Sequence, residues 1–175
     1  MTVGLQCPVL LRPPLTAAGL TATKWAGVDD KARGGNALLG FIARGMPRSA
    51  FSKTLYRMVS NMFGFIACYD LHGFWDTHLA TTSDRAAFLE QIEKYPCWGQ
   101  PAFTWSDVER RIGGRIRDAG LVAAYRAEVK KESLRSERDQ LARLLARHGH
   151  PGGDGRPAAA IVPSMDPASR QFGLW

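Results

Sequence analysis

The sequence predicts an α+β fold, a β-hairpin or small antiparallel sheet packed against three to four helices, with a long C-terminal helix. Three observations carry this expectation. Residues 63–69 alternate Phe63, Phe65, Ala67 and Tyr69 with Ile66 and Cys68, the period of a strand covered on both sides. "DLHG" (Asp70–Gly73) has turn composition, and "FWDTHLAT" (Phe74–Thr81) alternates again. Amphipathic stretches with helix-start signals lie on either side of this unit.

Residues 1–35 read as an irregular N-terminal arm, punctuated by Pro13-Pro14 and Gly34-Gly35. Residues 36–149 form the expected single α+β domain, and residues 150–175 a flexible Pro/Gly/Ala tail. Within the domain, "NALLGFIARGM" is a short apolar piece, helix or strand. "PRSAFSKTLYRMVSN" is helical, with Pro47 in its first turn and Phe51, Leu55, Met58 and Val59 on one face. "TSDRAAFLEQIEKY" is a helix capped at Thr82 or Ser83 and ended by Pro96, burying Phe88, Leu89, Ile92 and Tyr95. "SDVERRIGGRIRDAG" is another helix. Ser106 and Glu109 have capping-box spacing, and Gly113-Gly114 marks a break or a close backbone approach.

Residues 121–149 would span ~43 Å as one helix. Leu121, Val122, Tyr125 and Val129 form one stripe; Leu134, Leu141, Leu144, Leu145 and His148 form another, rotated by roughly 150°. Either the helix breaks near "KESLRSE", or its halves meet different partners. The tail ends in "RQFGLW", whose Phe172, Leu174 and Trp175 would anchor it to the domain or to a partner.

The 175 residues carry 23 Lys/Arg against 16 Asp/Glu, a net charge of +7. Residues 1–60 hold eight basic and two acidic groups, 61–106 two and five, 107–149 eleven and seven. Two basic segments flanking a mildly acidic one favour a polyanionic partner. Arg110, Arg111, Arg115 and Arg117 leave the apolar face of Val108, Ile112 and Ile116, and with Lys130 and Lys131 they are candidate phosphate contacts. Arg44, Arg48, Lys53 and Arg57 form a second candidate patch. Trp98, Phe103 and Trp105 sit on a Gly/Pro loop beside the arginine-rich helix, a composition shared by single-strand sites, protein hot spots and ordinary cores.

Chemistry has weaker support. Cys68, His72, His78 and Cys97 match no zinc spacing, and no CxxC is present. Neither Cys68 nor Cys97 has a local oxyanion hole to support a thiol enzyme. Asp70, His72, Asp76 and His78 crowd one hairpin, the residue types of a metal-assisted nuclease. Neither a GxxxxGK[ST] nor a GxGxxG motif occurs. No catalytic residue, cofactor or metal is therefore expected.

Three cysteines make no disulfide framework, no run of 18 apolar residues occurs, and the first basic residue, Arg12, follows the opening apolar run rather than preceding it. A cytoplasmic protein without a membrane partner is expected. The leading functional expectation is a non-enzymatic basic binding protein contacting nucleic acid or a nucleoprotein complex, of the kind phages and mobile elements carry as accessory proteins. One alternative is a protein–protein inhibitor or adaptor, for example of a host defence complex. It would act, or homodimerise, through Leu134, Leu141, Leu144 and Leu145, with Trp175 as a further contact. The other alternative is a nuclease using Asp70, Asp76 and His78.

Overall fold

A computed structural model of the chain describes residues 4–63 and 70–149. Regular structure among them is helical: α1 (Val28–Ala43), α2 (Lys53–Met62), α3 (Leu71–His78), α4 (Thr82–Lys94), α5 (Ser106–Asp118) and α6 (Leu121–His148), with short 3-10 turns at Pro8–Leu11 and Arg48–Ala50. The described residues contain no strand, so the expected α+β fold is corrected to an all-helical one. The chain divides into two units, Met1–Ser136 and Glu137–Trp175. In the second, described residues 137–149 are helical as far as His148, and all are exposed.

The expected hairpin fails on a competing period. Asp70 Oδ1 accepts the Gly73 N–H at 2.7 Å, which is a helix N-cap rather than a strand turn. Phe74 and Trp75 are adjacent and both buried. On a strand they would point to opposite faces, whereas a helix places them ~100° apart on one flank. Leu71 and His78 fall on the same flank at three-, four- and seven-residue spacings. The first expected strand falls largely on residues 64–69, which lie outside the described residues, as do Phe172, Leu174 and Trp175.

Helix α1 is the centre of the first unit. Leu38, Leu39, Phe41 and Ile42 are fully buried, and α2, α5 and the 3-10 turn at Pro8–Leu11 pack around it. Its first half covers Gly34 and Gly35, expected to be loop punctuation. They serve close packing instead. A Cβ on Gly34 would lie 2.8 Å from Trp105, and one on Gly35 would lie 2.5 Å from Leu15 and 2.9 Å from Val108. Leu15 and α5 can therefore approach the α1 backbone. Gly113 acts similarly on α5, where a Cβ would lie 3.0 Å from the Ile92 carbonyl of α4. Of the two readings for Gly113-Gly114, close approach is the one realised at Gly113, within an unbroken helix.

The remaining elements follow local signals. Helix α2 starts at Lys53 rather than Pro47, because Ser52 Oγ caps it by accepting the Leu55 N–H at 3.2 Å. Phe51, released from the helix, sits among Phe41, Phe74 and Trp75 at ring separations of 5.6, 5.3 and 5.5 Å. Helix α4 is capped one residue early, by a Thr81–Asp84 capping box. Helix α6 is one 28-residue helix. Leu121 and Tyr125 are buried and Val122 and Val129 half-buried, while Leu134 is 44% exposed.

The segment before α1 is irregular, but its backbone groups have partners. Leu10, Leu15 and Leu20 enter the core at five-residue intervals. The Asn36 side chain bridges Leu15, accepting its N–H and donating to its carbonyl, both at 2.8 Å. The Cys7 N–H donates to the Ala43 carbonyl at 2.8 Å. Side chains thus do for this strap what a sheet ladder does for a strand.

Two glycines give opposite expectations. Gly35→Ala improves helix propensity yet should destabilise the protein by about 1–3 kcal/mol through overpacking against Leu15 and Val108. Gly114→Ala, with nothing within 4 Å of the new Cβ, should stabilise it by roughly 0.5–1 kcal/mol. Urea midpoints of the two variants, which should shift in opposite directions, check this.

Candidate functional site

The α5 arginines expected to grip phosphate are mostly engaged by the protein itself. Arg111 Nη2 donates to the Ala18 carbonyl at 2.9 Å. Arg115 donates to the Leu10 carbonyl at 2.8 Å and to the Pro13 carbonyl. Both clamp the N-terminal strap onto α5. Burial holds the Arg115 guanidinium below its usual pKa, with help from the neighbouring Arg111 charge. Arg117 reaches the Glu93 carboxylate at 3.4 Å and the Glu93 carbonyl at 3.2 Å. Arg110 is exposed, and its Nε donates to the Ser106 carbonyl at 3.1 Å. Lys131 pairs with Glu128 at 3.2 Å, and Lys130 is exposed.

The second patch is more open. Arg44, Lys53 and Arg57 are exposed. Arg48 lies over the Trp75 ring at 4.8 Å, and its Nη2 is 3.1 Å from His72 Nδ1. Lys53, Arg57 and Asn61 recur every four residues, so they form one ridge along α2 with ~6 Å between successive members.

The residues of the nuclease alternative are distributed along α3. Asp70 is spent on its cap. Asp76 is exposed six residues on, and six residues of helix turn it ~120° away from the Asp70 direction. His78 lies against Phe74 and Phe88 at ring separations of 4.9 and 6.4 Å, and burial lowers its pKa against the pull of Asp84. Cys68 lies outside the described residues. Among the described residues no three His, Cys, Asp or Glu side chains come together as a metal-ligand group. Leu134, Leu141, Leu144 and Leu145 are each roughly half exposed, and Trp175 lies outside the described residues. No helix among the described residues is long and apolar enough to cross a membrane.

What the fold builds instead are two open depressions beside the loop joining α4 to α5, which share Cys97 and Glu109 in their linings and are taken together as a cleft with two lobes. One, of ≈ 610 Å³, is lined by Phe63, Tyr95, Trp98 and Gly99, with Cys97 and Glu109. The other, of ≈ 430 Å³, is lined by Trp25, Asn61, Phe103 and Trp105, again with Cys97 and Glu109. Four rim aromatics stand in solvent: Trp25 is 83% exposed, Tyr95 69%, Trp98 99% and Phe103 78%. Lys24 lies 4.9 Å from the Trp25 ring. Asn61, the last member of the α2 ridge, is part of the cleft wall.

The loop is held from beneath by buried charge. Lys31 has no exposed surface; its ammonium donates to the Pro101 and Thr104 carbonyls at 2.8 Å each and pairs with Asp107 Oδ1 at 3.0 Å. Asp107 Oδ2 accepts the Thr21 N–H at 2.9 Å. Burial alone would raise the Asp107 pKa, but the Thr21 N–H, the Lys31 ammonium and the Val108 N–H outweigh it and leave it below the usual value. Ser106 Oγ donates to the Gly99 carbonyl at 2.6 Å.

Glu109 departs from the expected capping box. Its Oε2 accepts the Cys97 N–H at 2.7 Å, and the helix N-cap, Trp105, makes no side-chain cap bond. Burial pushes the Glu109 carboxyl up to about 7; the Cys97 N–H and the Arg110 charge oppose the rise and the Asp107 charge adds to it. A buried carboxyl with a raised pKa on a residue that lines a cleft is a candidate functional group. The Cys97 thiol is free, its Sγ accepts the Gly99 N–H at 3.3 Å, and among the described residues no histidine lines either lobe.

Sequence reasoning found Trp98, Phe103 and Trp105 but missed Trp25, Lys31, Asp107 and Glu109, and its placement of Tyr95 in the buried stripe of α4 is corrected, since Tyr95 follows the last turn of the helix and is 69% exposed. The adjacent Lys24-Trp25 pair was a signal for Trp25. Nothing local marks Lys31, because its partners lie 70 and more residues away.

Because Glu109 binds its proton more tightly when folded than unfolded, the folded state holds more protons between about pH 4.5 and 7. Its contribution to stability is therefore full at the acid end of that window and lost as pH rises through about 7. Glu109→Gln should flatten the fall in stability of the native chain across this range, as read by urea unfolding at several pH values. No family model matches the chain, and no curated protein or solved structure matches it, so the site itself is the basis for a functional reading.

Proposed function

We propose that the protein is a non-enzymatic binding protein that engages single-stranded nucleic acid, free or within a nucleoprotein complex, in the cytoplasm. One observation carries this reading: exposed Trp25, Tyr95, Trp98 and Phe103 rim a cleft whose wall continues, through Asn61, into the Lys53–Arg57 ridge of α2. Stacking on aromatic faces is worth ~1–3 kcal/mol per base and tolerates any sequence. Cations beside such faces hold the backbone. The net charge of +7 supports approach of a polyanion. The phosphate-contact role moves from the α5 arginines to α2 and Lys24, since Arg111 and Arg115 are occupied by the strap carbonyls.

A second reading, a protein–protein adaptor or inhibitor, is supported by the exposure of Leu141, Leu144 and Leu145 within little more than one turn of α6. The two readings differ in salt response. Leucine contacts are nearly indifferent to salt, whereas phosphate contacts weaken steeply.

Fluorescence titration with a short single strand at several salt concentrations tests the first reading. Trp98→Ala should weaken binding by ~1–3 kcal/mol. The double variant Lys53→Gln/Arg57→Gln should reduce the log–log salt slope by about 1.4. Absence of binding, or an unchanged slope in the double variant, would overturn it.

A further inference from the structure

We infer that the cleft takes an internal run of about four nucleotides of one strand, with phosphates held on either side of the lobe between Trp25 and Phe103, and that free nucleotides and strand ends are poor ligands. This rests on the single-strand reading above. Three segments wall that lobe: the N-terminal strap at Thr23, Trp25 and Ala26, the end of α2 at Asn61 and Met62, and the α4–α5 loop at Phe103 and Trp105. Among the described residues no lysine or arginine lines it, and none lines the other lobe. The nearby cations stand outside, on two different walls. Arg57 and Lys53 lie on α2, one and two turns before Asn61, and Lys24 lies on the strap next to Trp25. All three are exposed, and among the described residues no carboxylate pairs with any of them.

This placement decides which phosphate fits. A free nucleotide stacked in the lobe would bring its phosphates to walls that offer no positive charge, and the only acidic or basic residue in those walls is Glu109. A strand avoids the conflict. Its bases meet the open faces of Trp25 and Phe103, while its backbone stays outside, on Lys53 and Arg57 before the lobe and on Lys24 after it. Successive members of the α2 ridge are ~6 Å apart, close to the separation of neighbouring phosphates, so each cation meets one singly charged diester. A terminal phosphate carries about 1.5–2 negative charges and would need two cations at one point. Asp29 and Asp30, at the start of α1, close the cationic path beyond Lys24, which keeps the footprint short.

The test measures binding of the full chain to strands of a single base from one to about eight nucleotides long, with and without a 5′-phosphate, and to a closed circular strand. Affinity should rise roughly 100-fold between one nucleotide and four, then gain only the few-fold factor that extra registers supply. The 5′-phosphate should change affinity by no more than about twofold, and the circle should bind as tightly as its linear form. Lys24→Gln should reduce the log–log salt slope by about 0.7, and the triple variant with Lys53→Gln and Arg57→Gln by about 2.1. Lys130→Gln, which removes an exposed α6 cation that lines neither lobe, should leave the slope unchanged. A mononucleotide that binds as tightly as the tetramer would overturn this inference and leave the single-strand reading standing. So would a circle that fails to bind while its linear form binds, an unchanged slope in Lys24→Gln, or an equal change in Lys130→Gln. Failure of every strand to bind would overturn the single-strand reading and this inference with it.

Discussion

A lysine with no surface in water organises the candidate site. The Lys31 ammonium has three N–H donors and three acceptors, two of them carbonyls of the α4–α5 loop and the third Asp107 of α5. Asp107 passes the constraint on to the N-terminal strap through Thr21. Four chain segments are thereby tied at one point. A buried charge is tolerable only when every donor is met, and removing one partner of such a pair costs ~3–5 kcal/mol. The loop conformation that turns Trp98 and Phe103 outward is held by that requirement, since apolar contact alone would draw those rings inward.

The same logic separates the cations that build the molecule from those left to meet a ligand. Arg85 donates to the Leu79 carbonyl and is buried. Arg111 and Arg115 close over a strap that has no ladder of its own. Lys94 and Arg126 share Glu90. What remains is spread over α2, Lys24, Arg12, Arg44, Arg48, Arg110 and parts of α6. Of these, the α2 ridge leads directly into a cleft rimmed by aromatics. Leaving large apolar side chains exposed forgoes about 1.5–3 kcal/mol each, so four around one concavity are hard to explain by packing.

Legibility in the sequence followed the range of the interactions. The start of α4, the Phe88, Leu89 and Ile92 members of its stripe and the length of α6 are local patterns, and they were readable to within a residue or two. The start of α2, by contrast, was placed at Pro47 instead of Lys53, and Tyr95, expected in the buried stripe, stands 69% exposed. Helix α3 was not, because an eight-residue helix and a hairpin strand both accommodate Phe74, Trp75 and His78, and Asp70–Gly73 suits a turn as well as a cap. Gly34-Gly35 looked like a loop because only the approach of Leu15, Trp105 and Val108 explains glycine inside a helix. Among the site residues, exposed aromatics on a Gly/Pro loop could be singled out from composition. Glu109 was hidden by its own spacing from Ser106, which mimics a capping box that the fold does not form.

The central claim is that the cleft beside Glu109, together with the α2 ridge, is where a ligand binds, and that Arg111 and Arg115 of α5 serve the fold. An NMR titration of the chain with a short single strand tests it most directly. The account predicts that the indole N–H signals of Trp25 and Trp98 and the amides of Arg57 and Asn61 move first, while the guanidinium N–H signals of Arg111 and Arg115 stay in place. Shifts confined to the second half of α6, or displacement of the Arg111 and Arg115 signals with the indoles unmoved, would contradict it.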